Sequence, residues 1–226
     1  MCIELHLQDL VTHTLTHTCS LFLSLSLSLS LHLPPSLSPP VPRSARRPGT
    51  MEAALSKLSR QPVHFPDCCV GISWPLMEAL ASRLPRHPSL VLSVGSGSGL
   101  LEAMLLHATD HHVNICGVEV AAAVNRHLPP QRVLRVPCSA STHADAMLAS
   151  SLLFVYPRSA ALIARYLDFI DGALEQLVWL GHRNDWADAK TIVMRSFERL
   201  QLVDGDGLPE YDLLAIATVP KRPKPV

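Results

Sequence analysis

The six cysteines include no C-x-x-C pair, no uninterrupted apolar stretch reaches about 18 residues, and neither sign of charge is in excess. Each absence removes a class of protein. Cys2, Cys19, Cys68, Cys69, Cys116 and Cys138 do not make a disulfide framework at this density. Two of them lie in or beside apolar runs, so they read as reduced thiols of a cytosolic or nuclear protein. Without a long apolar run no helix is a candidate to span a membrane. Lysine plus arginine equal aspartate plus glutamate at 19 each, so no global attraction to nucleic acid or an anionic membrane is expected. No Gly-Lys-Ser/Thr follows the glycine-rich segment, which excludes a P-loop, and the G-x-S-x-G nucleophile elbow is absent. His111, His112 and His143 lack ligand spacing and read as surface histidines, so no metal is expected.

Acidic residues are also missing from Val11 to Thr50, a stretch of Leu, Ser, His, Thr and Pro in near-repeats. The leucine–serine alternation has a strand's period, yet it runs into Pro34-Pro35 and Pro39-Pro40, which cannot donate to a ladder. Residues 1–50 are therefore expected to be a disordered, low-complexity segment. A secretory signal is opposed by Glu4 and Asp9 where basic residues belong. A mitochondrial transit peptide is the alternative, given the acid-poor run up to Arg43, Arg46 and Arg47. CT and CA dinucleotide repeats would also translate as Leu-Ser and His-Thr alternation, which makes Met51 a second possible start.

What is present is one core's worth of apolar sequence, 48% hydrophobic over 226 residues, which favours a single domain over 51–220 with a solvated tail at 221–226. Helical spacing at 51–60 and 74–84 predicts two leading helices. They are separated by the proline-bounded loop that carries Cys68-Cys69. Strand patterns follow at 90–94, 112–120, 132–136, 152–156, 176–180, 199–203 and 211–218. Helical patterns at 100–108, 121–127, 159–170 and 186–197 lie between them. Alternating strands and helices argue an α/β fold, a doubly wound, mostly parallel seven-stranded sheet in three α/β/α layers. Only a short Gly- and Asp-rich turn separates the last two strands, which predicts a C-terminal antiparallel hairpin.

In such sheets ligands bind beyond the carboxyl ends of the strands, where the strand order reverses. The turn there is Gly95-Ser96-Gly97-Ser98-Gly99, and glycines let the main chain approach a ligand closely. Glu119 ends the next strand, about 20 residues on, where a carboxylate meets a ribose hydroxyl pair. Val91-Leu92-Ser93-Val94-Gly95-Ser96-Gly97-Ser98-Gly99 resembles motif I of the class I, Rossmann-like S-adenosylmethionine-dependent methyltransferases, and Gly117-Val118-Glu119 resembles the acidic motif that follows it. The resemblance implies that Gly95, Gly97 and Gly99, with Ser96 between them, line the cofactor S-adenosylmethionine and that Glu119 holds its ribose. It further implies that the region after the third strand, with Asp145, holds the adenine. Ser93 departs from the family, which often has a carboxylate there for the cofactor's amino group.

The acceptor side is expected at the end of the fourth strand, where Tyr156 and Arg158 are candidates for substrate contact, and after the fifth, where His182 stands open. Half-buried packing is the competing reading of Tyr156. Asp185 is expected to cap the following helix, with Trp186 at its base. The methyl acceptor is not legible. A non-catalytic binding module on the same fold is the second reading, motivated by Ser93 and by Tyr156-Pro157, a faint echo of the family's proline motif. A nicotinamide dinucleotide enzyme is a third, opposed by Leu100 where its fingerprint needs a small residue.

Overall fold

Short apolar runs become strands in this chain because successive side chains are buried on opposite faces of one sheet. In Leu90–Val94 (β1), Val91 enters one core and Leu92 and Val94 the other. The same division recurs in Ala149–Val155 (β4), with Leu153 set against Leu152 and Phe154, and in Gln176–His182 (β5), with Val178 and Leu180 set against Leu177 and Trp179. Burial on both faces is what a parallel sheet requires. The computed structural model describes residues 50–220 apart from Ala122, Asp171, Ala173 and Asp206. Expectations for residues 1–49 and 221–226 lie outside the described residues.

With Asn114–Glu119 (β2), Val133–Arg135 (β3), Arg199–Val203 (β6) and Asp212–Thr218 (β7), the sheet has seven strands in the order β3-β2-β1-β4-β5-β7-β6. Strands β1 to β5 pair in parallel, and β7 lies antiparallel between β5 and β6, so the terminal hairpin forms as expected. Thr50–Leu55 (α1), Trp74–Arg83 (α2) and Leu100–Ala108 (α3) cover one face, and Ala160–Phe169 (α4) and Trp186–Val193 (α5) the other. This is the doubly wound three-layer arrangement. The chain leaves β1 for β2 and β3, then returns to β4 on the far side of β1, which makes the carboxyl end of β1 the switch point.

Several ends follow from local chemistry. Ser73 Oγ accepts from the Leu76 amide at 3.1 Å and donates to the Gly207 carbonyl at 2.6 Å, so one hydroxyl starts α2 and ties it to the hairpin loop. The helix expected at 121–127 is absent among the described residues. Asn125 instead brackets Leu128, donating to its carbonyl at 2.9 Å and accepting from its amide at 3.1 Å, a side-chain bond that competes with helix formation. Helix α1 stops at Leu55, short of residue 60, where the Lys57 and Leu58 amides turn to carbonyls three residues back. Cys68, Cys69, Cys116 and Cys138 are free thiols. No helix among the described residues is long and apolar enough to cross a membrane.

Candidate functional site

The turn after β1 has Gly95, Gly97 and Gly99 at φ +75°, +59° and +76°, backbone that only glycine adopts without strain. The Gly95 and Ser96 amides donate to the Val118 carbonyl at 3.0 and 3.3 Å, which fastens the turn to β2. Glu119 points into it: Oε1 accepts from the Gly97 amide at 2.5 Å and Oε2 from the Val120 amide at 3.1 Å. A Cβ added at Gly95 or Gly97 would meet nothing within 4 Å, so open space lies against main chain at both positions. Gly99 is required for another reason. A Cβ there would lie 2.7 Å from Asn125 Oδ1 and 2.9 Å from Leu128 Cγ. The Ser96 hydroxyl packs onto Gly117, where any Cβ would collide with it, and has no hydrogen-bond partner. Of Ser96, therefore, only main chain belongs to the open part of the turn.

A polar cluster gathers at the same rim, three strands along. Asp212 opens β7 opposite His182 at the end of β5, and it is 1% exposed. The Tyr156 hydroxyl donates to Asp212 Oδ1, while Oδ2 is buried without a partner. Burial pushes the Asp212 carboxyl up, against the opposing pull of Tyr156, His182 and His64. Burial, followed by the Asp212 carboxylate, likewise raises the Tyr156 phenol far above its ordinary range. His182 Nδ1 accepts from the Asn184 amide at 3.2 Å, which leaves Nε2 to carry the proton of the neutral ring. Asp185 stands at the cap position of α5 as expected, but its side chain makes no cap bond; His182 caps the short turn Arg183–Asp185 that leads into the helix. Trp186 does fill the helix base, 5.1 Å from Trp179. The His182 ring stacks on Tyr211 at 5.9 Å, and Tyr211 Oη lies 3.3 Å from His64 Nε2 in the leading loop. Tyr156 itself has φ +49°, a left-handed conformation that costs a non-glycine residue about 1–2 kcal/mol. A hollow of about 600 Å³ opens beside this cluster and not over the glycines, lined by Arg60, Gln61, Arg183, Glu210 and Asp212 among others.

No protein-family model matches the sequence, and no curated protein matches it. Solved structures match the fold. An S-adenosylmethionine-dependent O-methyltransferase from Thermotoga maritima aligns with a TM-score of 0.52 at 12% identity, over 70% of this chain and 69% of that one. A precorrin-6y C5,15-methyltransferase from Geobacter metallireducens GS-15 aligns with a TM-score of 0.50 at 9% identity, over 66% and 89%. The chain has the class I methyltransferase fold. The S-adenosylmethionine-dependent methyltransferase SibL in its apo form aligns with a TM-score of 0.50 at 13% identity over 65% of this chain, which spans only 54% of SibL.

Within this methyltransferase fold the residues fit the cofactor that its known members use. The glycine main chain is open, and the Glu119 carboxylate stands at its edge with lone pairs to spare for two sugar hydroxyls. Asp145 is not brought to the turn. It lies in the single turn Ala144–Leu148 that leads into the amino end of β4, 3.8 Å from His143, whereas the switch point is at the carboxyl ends. Arg158 is exposed and takes no part in the Tyr156–Asp212 cluster. Two groups carried no functional flag in the sequence: Asp212 and Glu102, the latter buried on α3 with Oε1 accepting from the Ser93 hydroxyl at 2.6 Å. The signal was there in composition. Each is a lone carboxylate beside an unbroken apolar run, Leu-Leu-Glu-Ala-Met-Leu-Leu in α3 and Asp-Leu-Leu-Ala-Ile-Ala in β7.

Proposed function

We propose that the chain is an S-adenosylmethionine-dependent methyltransferase whose cofactor lies along the Gly95–Gly99 main chain with its ribose on Glu119. The observation that carries this reading is the Glu119 carboxylate turned onto the Gly97 amide beside two glycines with clear space around them. Bound there, the cofactor supplies an electrophilic methyl group. The rest is alignment and proton removal by the protein.

The cluster around Asp212 is the acceptor side of this reading. Tyr156 orients the carboxylate through Oδ1, and the unpartnered Oδ2 is the atom to accept a proton from an amine or hydroxyl as it is methylated. Burial, by making the carboxylate a stronger base, favours that transfer. The neighbouring hollow has the volume of a small-molecule pocket and a mixed lining, in which Leu208 and Pro209 stand beside Arg60, Gln61, Arg183 and Glu210, which suits an acceptor with both polar and apolar parts. Titration calorimetry with S-adenosylmethionine, S-adenosylhomocysteine and NADH tests the cofactor, and transfer of a labelled methyl group to protein, RNA and small-molecule pools tests turnover. Binding of the first two with labelled product is expected. Binding without transfer would support a non-catalytic module, and binding of NADH alone would refute the proposal.

A further inference from the structure

Glu102 is the most costly residue in the core that the proposed chemistry leaves unused. It sits on the first turn of α3, 2% exposed, among Leu100, Leu101, Met104, Leu105 and Leu106, which are buried as well. Oε1 is held by Ser93, itself 1% exposed and two residues ahead of Gly95. Oε2 is shielded from solvent and has no hydrogen-bond partner. A buried carboxylate with one oxygen unmet is unfavourable by comparison with any apolar side chain of similar size, and apolar side chains are what surround it. The titratable groups facing it are Glu119 from across the turn, whose charge opposes its ionisation, and Cys68 from the leading loop, a thiol that burial keeps protonated, so neither supplies a positive charge. A buried carboxyl next to the glycine turn thus has one oxygen unmet and no positive charge facing it, which is what a cationic partner would relieve.

The cofactor of the methyltransferase reading, on which this inference rests, carries an α-ammonium. Ser93 offers only a hydroxyl where a first-strand carboxylate would meet it. We propose that Glu102, delivered from α3 instead of β1, is the anionic partner of that ammonium through Oε2, with Ser93 as the positioning residue that fixes Oε1. The carboxylate has moved from strand to helix, and the serine–carboxylate hydrogen bond spans the exchange.

Calorimetry at pH 8 on the full chain separates this from a merely structural role, using S-adenosylmethionine and 5′-methylthioadenosine. The second ligand keeps the adenosine and the sulfur but has no amino-acid portion. Glu102→Gln preserves the acceptor for Ser93 and removes the charge. It is expected to weaken S-adenosylmethionine about tenfold or more while leaving methylthioadenosine within about twofold. Ser93→Asp in the Glu102→Gln background returns a carboxylate from the strand side and should restore the lost affinity. Equal loss for both ligands would mean damage to the turn and would overturn the proposal, as would no loss for either. A wild-type chain that binds neither ligand would refute the methyltransferase reading and this inference with it, whereas tight wild-type binding without the selective loss would refute only the role of Glu102.

Discussion

Replacing Glu102 by glutamine should make the ligand-free protein more stable, and only above mildly acidic pH. Burial pushes this carboxyl from an ordinary value of 4.5 up to about 7, with the Ser93 hydrogen bond opposing. Because the folded value is the higher one, the folded chain holds its proton over a window in which the unfolded chain has released it. Stability therefore falls as pH rises from 4.5 to 7, and the loss is complete above that window. A difference of about 2.5 pH units corresponds to roughly 3 kcal/mol at 1.36 kcal/mol per unit. Glutamine has the same shape and no proton to lose. Wild type and Glu102→Gln should thus unfold in urea within about 1 kcal/mol of each other at pH 5. At pH 8 the variant should lead by as much as about 3 kcal/mol, or roughly 6–12 °C in Tm for a domain of this size. Comparing the two at each pH cancels the titration of every other group. Unfolding free energies that run parallel from pH 5 to pH 8 would refute the reasoning, because they would show that the carboxylate stays solvated.

Tyr156→Phe removes the hydrogen bond to buried Asp212 Oδ1, and a loss of about 1–3 kcal/mol is expected in denaturant titration. Since Tyr156 helps hold the Asp212 carboxyl down, that loss should grow as pH rises and the carboxylate ionises; a pH-independent loss would contradict it. Gly99→Ala should lower Tm more than Gly95→Ala, because both incur left-handed strain but only the first drives a Cβ into Asn125 and Leu128. Equal melting of the two variants would remove that distinction. Among the thiols, Cys138, which is exposed and lowered by the Ser141 hydroxyl, should react with a disulfide reagent well before Cys68, which burial pushes up to about 12. Peptide mapping after brief labelling reads the order.

The strands were legible because their signal is burial on two faces, which writes itself as short runs of Val, Leu and Ile. β1 and α3 lie where the pattern puts them, and so does the edge strand β6, whose signal is instead the alternation Arg-Leu-Gln-Leu. The glycine turn and Glu119 were legible too, since their spacing is set by the crossover geometry of one β-α-β unit. What failed depended on side chains choosing backbone partners. Asn125 bonds to Leu128 and forestalls a helix that the local pattern allows. His182 accepts from the Asn184 amide ahead of the helix, and Asp185 holds the cap position without a side-chain bond. Asp145 could not be placed because the connection before β4 has no periodicity to fix its register. Glu102 and Asp212 were hidden for a different reason: a charge in an apolar segment reads as its solvent face until packing shows that the segment is buried all round.

The most direct test of the central claim is a crystal structure of the chain soaked with S-adenosylhomocysteine. The ribose hydroxyls are expected on Glu119, in hydrogen-bond contact with the carboxylate that now accepts from Gly97, and the thioether chain against the main chain of Gly95 and Gly97. Ligand seated in the hollow between Arg60 and Asp212, with Glu119 still closed on Gly97 and the glycine turn bare, would contradict it.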